Sequence, residues 1–205
     1  MRTIPREVSQ FGNWDNPVET TRRLLRKATK SEMRMYILGA LHDATYNSKH
    51  QTYRFSQSLE NWLKLVQQML AKLGHRSWIY KEGKNRSVWA LETSAKIDRE
   101  EKPKTESEKI AYIRGYFDTE GGMPRSNNHF LYFQFTQRDR SDLKQVKIYL
   151  EELGINCGVI HNPSQKVDKN YWRFFINRKS HFDFMDTIYS FHPRKMRQID
   201  LRMKI

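Results

Sequence analysis

Cysteine is nearly absent: Cys157 stands alone among 205 residues. One thiol excludes an internal disulfide and a zinc site built from several thiolates, so a reducing, intracellular setting is expected. Long apolar runs are missing as well. No stretch approaches the ~20 apolar residues that span a bilayer, and the opening Met1-Arg-Thr-Ile-Pro-Arg6 lacks the apolar core of a signal peptide. A membrane partner is not expected. Acidic side chains are in short supply, 23 against 37 Lys and Arg, which leaves a net charge of +14. Such an excess favours a polyanion, nucleic acid first, although it also suits a merely soluble basic protein. The seven His are scattered, and His42, His75 and His161 show no metal-ligand spacing. What is present in quantity is core-forming material: 38% hydrophobic and 13% aromatic residues argue against wholesale disorder. The length allows one large domain or two small ones.

The chain repeats itself. Phe55-Ser-Gln57 leads into a helical run to Leu73 and then Gly74; Phe135-Thr-Gln137 leads into a helical run to Leu153 and then Gly154. Gln57 to Gly74 and Gln137 to Gly154 are both 17 residues. Both runs are amphipathic at helical spacing and stop at a glycine, as a helix C-terminus prefers. Two strand-like stretches follow each glycine: Ser77–Tyr80 and Val88–Leu91, then Cys157–Ile160 and Tyr171–Ile176. A further hairpin precedes each Gln (Thr45 to Gln57, Met123 to Gln137), and a glycine-bearing helix precedes that, around Gly39 and around Gly115. The expected fold class is α+β: two αββαββα repeats about a pseudo-twofold axis. Residues 1–30 form a basic extension containing a helix-like stretch from Val18 to Lys30. The first repeat is 31–95, a charged, proline-containing stretch at 96–108 reads as the linker, and the second repeat with a C-terminal helix beyond Pro193 is 109–205.

In the second repeat, Ile113-Arg-Gly-Tyr-Phe-Asp-Thr-Glu-Gly121 resembles the nonapeptide of the LAGLIDADG homing endonucleases, with Gly115 third, Asp118 sixth, Glu120 eighth and Gly121 ninth. The resemblance, carried also by the order of the repeat, runs from Glu32 onward. It implies a sequence-specific endonuclease that hydrolyses double-stranded DNA with Mg²⁺ or another divalent cation such as Mn²⁺. It further implies antiparallel sheets forming a DNA-binding saddle, and one chain acting as a pseudo-dimer on a long asymmetric target. The setting would be a prokaryotic or phage-infected cell, or an organelle. The eighth position, Glu120, is implied to hold metal. The chemistry is coherent: glycines let two helices approach closely, and an acid at the end of each places two carboxylates beside the scissile phosphates. Asp118 is read as structural.

The first repeat departs from this pattern. Tyr36-Ile-Leu-Gly-Ala-Leu-His-Asp43 sets its acid four positions after Gly39, where Glu120 comes five positions after Gly115. One residue is about 100° of helical rotation. Either the helix ends or unwinds locally and Asp43 still reaches the metal, or this half has lost its acid and the protein nicks one strand or only binds. A maturase acting on RNA and a transcriptional regulator are the binding-only alternatives. Gln57 and Gln137 are either polar hairpin ends or, by resemblance, residues that order water near the cut. Lys96 and Lys179, after the last strand of each repeat, resemble in placement a family lysine that stabilises charge at the scissile phosphate.

A two-stranded ribbon fits the major groove. The expected groove-facing residues are Lys49, Gln51, Tyr53 and Ser56 in the first repeat and Arg125, Asn127, Asn128, Tyr132 and Gln134 in the second. Lys81, Lys84, Arg86, Lys166, Lys169 and Arg173 add charge, much of it for phosphates. Trp62, Trp78, Trp89 and Trp172 are expected in the core.

Overall fold

Two helices begin on nearly the same phrase, Thr29-Lys-Ser-Glu32 and Thr105-Glu-Ser-Glu108, each ten residues before a glycine. In both, the Thr hydroxyl accepts from the Glu amide and the Glu carboxylate accepts from the Thr amide, a reciprocal cap on the first turn. These are α1 (Lys30–Ala40) and α3 (Glu106–Glu120). The computed structural model describes residues 25–203 apart from Asn85 and Asn127. Most of the basic extension, with most of its helix-like stretch, lies outside the described residues.

α1 and α3 cross at Gly39 and Gly115. A Cβ on Gly39 would stand 2.0 Å from the Tyr112 carbonyl oxygen, and one on Gly115 would stand 2.0 Å from that of Tyr36. Each glycine thus meets the backbone of the other helix three residues before the other glycine. The match is reciprocal, as a twofold requires. Side chains reinforce it: Tyr36 donates to Asp118 at 2.5 Å, and His42 Nε2 pairs with Tyr112 at 2.7 Å. In both cases a tyrosine three residues before one glycine reaches a polar group three residues after the other.

Each half adds an antiparallel sheet and a covering helix. The first sheet has the order β1-β2-β4-β3, from β1 (Thr45–Asn47), β2 (Thr52–Gln57), β3 (Ser77–Glu82) and β4 (Val88–Thr93). It packs on α2 (Glu60–Lys72), whose Trp62, Leu63, Val66, Met69 and Leu70 are buried along one stripe. The second sheet has three strands, β5 (Gly121–Gly122), β6 (Gln134–Gln137) and β7 (Trp172–Phe175), and packs on α4 (Arg140–Glu152) through Leu143, Val146, Tyr149 and Leu150. Registers agree between halves: Gln57 pairs with Trp89 and Gln137 with Trp172. α2 and α4 both end in a left-handed glycine, Gly74 at φ 84° and Gly154 at φ 77°, with the following amide returning to Leu70 or Leu150. A short 3₁₀ turn (Arg178–Ser180), α5 (His181–Thr187) and α6 (Pro193–Met203) close the second half.

Three sequence expectations change here. α3 begins at Glu106, inside the stretch read as linker, because Thr105 and Glu108 cap it. Cys157–Ile160 is not a regular strand: it meets β7 only at the bridges Cys157–Ile176 and His161–Arg173. Four steps on one side face three on the other, so one residue is extra and the ladder breaks at a bulge, leaving Val159 81% exposed. Trp62 is buried and Trp89 and Trp172 half-buried, but Trp78 is 44% exposed on the outer face of the first sheet.

Candidate active site

Glu120 is the last residue of α3. Asp43 ends not an α-helix but a 3₁₀ turn, Leu41–Asp43, added to α1. That change of winding answers the missing residue. A 3₁₀ step rises about 2.0 Å and turns about 120°, against about 1.5 Å and about 100° for an α step. One α step and three 3₁₀ steps carry Asp43 about 7.5 Å beyond Gly39 along the axis, the same rise that five α steps give Glu120 beyond Gly115. The tighter winding also recovers roughly 60° of the roughly 100° lost. The backbone therefore rises about as far from Gly39 to Asp43 as from Gly115 to Glu120.

Electrostatics agrees with the geometry. Burial, and after it the charge of Asp43, raise the Glu120 pKa to about 7, so the acids lie within each other's field. Asp43 is open to solvent on one side, yet the protein packed on its other side holds its pKa above the usual carboxylate range. Each acid has the carboxamide from its own half. Gln57 Nε2 donates to Asp43 Oδ2 at 3.5 Å, and Gln137 hydrogen-bonds Glu120 and lowers its pKa in part. Thr136 Oγ1 donates to the Glu120 carbonyl at 3.1 Å, fixing the end of α3 against β6.

The cation acting on both carboxylates is Lys195, from the first turn of α6. Its ammonium donates to the carbonyls of Phe117, Asp118 (3.1 Å) and Gly121 (2.6 Å) and lies 4.6 Å from the Phe117 ring centroid. It thereby adds a donor at the end of α3, where the Phe117 carbonyl also accepts from the Gly121 amide. Burial lowers its pKa to about 8 against the pull of Asp118, Glu120 and Asp43. Sequence reading missed Lys195, because nothing in His192-Pro-Arg-Lys195 shows that the last helix returns to the end of α3. Lys96 is exposed beside Tyr46 and His50; Lys179 is exposed on its 3₁₀ turn. Asp118 is buried, accepting from Tyr36, Ser190 and the Phe191 amide (2.9 Å). These bonds tie α1, α3 and the segment before α6 together, the structural role its position suggested.

Strand alternation sets the outer faces of the sheets. Tyr53 is turned into the core against Tyr46, so it does not read a groove. Its neighbour Arg54 faces outward with Ser56, Trp78 and Tyr80, pairing with Glu82 at 2.9 Å. In the second half Tyr132, Gln134, Thr136 and Arg173 face outward, with Arg173 over the Phe175 ring at 5.2 Å. Lys49 and Gln51 are exposed in the β1–β2 turn, Lys81, Lys84 and Arg86 around the β3–β4 turn, and Lys166 and Lys169 in the loop before β7. Arg125 and Asn128 are exposed before β6; Asn127 lies outside the described residues.

Two helices crossed at reciprocal glycines, with an acid at each far end and a sheet from each half, make the fold that of the LAGLIDADG proteins. Residues 107–189 match the family model of the LAGLIDADG-like domain, so the second half is a domain of that kind. Solved structures with the same fold include I-DmoI in complex with DNA and Mn, at 21% identity and TM-score 0.60 over 78% of this chain and 98% of that one. The N-terminal LAGLIDADG domain of DUF199/WhiA has 15% identity and TM-score 0.65 over 88% and 93%. Full-length DUF199/WhiA from Thermatoga maritima has 16% identity and TM-score 0.65 over 92% and 66%. No curated protein matches the chain by sequence.

Proposed function

We propose that this chain is a divalent-metal-dependent endonuclease of double-stranded DNA, with Asp43 and Glu120 as its metal-holding carboxylates. The observation that carries the reading is the 3₁₀ turn, which brings Asp43 level with Glu120 across the glycine crossing. Both acids stand at helix ends whose dipoles oppose negative charge, and they repel each other. Among the described residues no third His, Cys, Asp or Glu joins them. Two carboxylates and no nitrogen or sulfur donor suit Mg²⁺ or Mn²⁺, which take the rest of their shell from water and substrate phosphate. When bound, such an ion activates water and stabilises the leaving oxygen. The chain's own part is to hold the acids: Gln57 and Gln137 orient their carboxylates, and Lys195 fixes the terminal carbonyls of α3. I-DmoI, solved with DNA in the presence of Mn, Ca and Mg, supports the choice of DNA and of ion. The net charge of +14 supports a polyanionic substrate.

Incubation of a plasmid library with the protein and Mg²⁺ or Mn²⁺ tests this. Wild type is expected to give linear product, Glu120→Gln none, and Asp43→Asn nicked circles. Tight DNA binding without cleavage of any target would replace the nuclease with a binding-only protein. That second reading draws on one feature, the exposure of Asp43 at the end of a shortened motif.

A further inference from the structure

Beside the end of α3 lies a cavity of about 260 Å³ that the acids and carboxamides do not use. Gly122, Arg125, Tyr132, Arg194, Lys195 and Gln198 line it, with Gly121 linking it to Glu120, and no acidic residue contributes to its wall. Arg194 and Lys195 occupy the first turn of α6, where the helix dipole is already positive and cations are disfavoured. Each charge also burdens its neighbours: Arg194 lowers the pKa of Lys195, and both lower that of His192. Arg125 joins the lining from a segment that Arg202 pins to α6, donating to the Ser126 carbonyl at 3.0 Å and the His129 carbonyl at 3.1 Å. Gln198 Oε1, on the same wall, is buried without a hydrogen-bond partner. Exchanging oxygen and nitrogen in that amide turns it into a donor. Like charges gathered at a positive helix end, around a cavity with an unsatisfied amide, are stable together when an anion sits among them.

We propose that this cavity seats one backbone phosphate of the bound DNA, next to the phosphodiester that faces Asp43 and Glu120. The inference rests on the DNA reading above, and it assigns Arg194 and Arg125 a task apart from the cut. The two guanidiniums hold the phosphate together, which sets the strand's register against the acids. Tyr132, on the outer face of β6, supplies a hydroxyl at the rim.

Affinity for a labelled duplex of arbitrary sequence, measured against salt without divalent cation, is the test. Each phosphate contact contributes about 0.9 to the slope of log K against log salt. Arg125→Ala with Arg194→Ala is expected to lower the slope by about 0.9, and Arg194→Ala alone by no more than that, because both residues hold the same phosphate. The ratio of variant to wild-type Kd then narrows about 3.5-fold between about 50 and about 200 mM salt. Arg194→Lys is expected to restore most of the slope, and Lys102→Ala, in the exposed segment before α3, to leave it unchanged. Unchanged unfolding curves keep the reading on binding, since both arginines are exposed. An unaltered slope for the double variant, or a fall of about 1.8, overturns the shared seat. A wild type with no salt-dependent DNA binding overturns the DNA reading itself.

Discussion

Replacing Gly115 by alanine sets two effects of opposite sign against each other. In a helix interior, alanine is favoured over glycine by about 1 kcal/mol, so local propensity alone forecasts a more stable protein. The crossing forecasts the reverse. The new Cβ would meet the Tyr36 carbonyl oxygen at 2.0 Å and the Ala40 nitrogen at 3.1 Å, both backbone atoms of α1 that cannot rotate aside. Opening that contact to ordinary range moves the helices apart by more than about 1 Å, and a gap of that size forfeits a quarter to a half of each dispersion contact across it. Residues buried along this seam include Ile37, Ile113, Tyr116 and Leu41. Overpacking costs about 1–3 kcal/mol where side chains absorb it, more where backbone must move. A net loss of about 3 kcal/mol is expected after the propensity gain, which lowers Tm by roughly 6–12 °C for a chain of this size. Urea unfolding measures it. Gly39→Ala meets Tyr112 in the same way, so the double variant, entering a seam already opened, is expected to cost clearly less than the sum of the singles. A Gly115→Ala protein within about 0.5 kcal/mol of wild type would refute the close crossing.

Other outcomes follow from the same structure. Glu120 has a folded pKa raised to about 7, so the folded protein holds more protons than the unfolded chain between about pH 4.5 and 7. Metal-free stability should fall as pH rises through that window, by about 1–3 kcal/mol after solvent screening, and Glu120→Gln should flatten the fall in pH-dependent urea unfolding. Below about pH 7 protons compete with the cation, so Mn²⁺ affinity by calorimetry should climb toward tenfold per pH unit and level off above it. Asp118→Ala removes the acceptor shared by Tyr36, Ser190 and Phe191 and leaves Lys195 without the anion that acts on it most strongly. A loss of about 3–5 kcal/mol is expected from chemical denaturation. Trp62→Ala should cost about 3–5 kcal/mol and Trp78→Ala less than about 0.5, since one ring is buried and the other is on the outer sheet face.

The repeat was legible because it is written in spacings: the 17-residue distance from Gln57 to Gly74 and from Gln137 to Gly154 becomes the same strand, helix and left-handed glycine in both halves. The two glutamines stood out for the same reason, whereas Glu120 stood out through the resemblance of its nonapeptide. The matching caps at Thr29 and Thr105 were equally readable, and would have started α3 at Glu106. Tyr53 turned inward, and its neighbour Arg54 outward, because a hairpin's inward side is set by register, and one residue of slip inverts it. Tripartite Lys195 was invisible for a different reason. It acts across 74 residues on the carbonyl of Gly121, a contact made by the docking of α6 and by no local pattern.

The 3₁₀ turn at Leu41–Asp43 bears on how such proteins are found. The family model stops short of the first half, matching only residues 107–189, although that half supplies a crossing glycine, a sheet and an acid. A motif search counts letters, whereas the crossed helices respond to height above the crossing. A deletion within the nonapeptide can be absorbed by a change of winding that keeps height nearly constant. Degenerate halves should therefore be sought by the distance an acid climbs past its glycine, and sequences dismissed for lacking one letter of the motif are worth building in three dimensions before their second acid is written off.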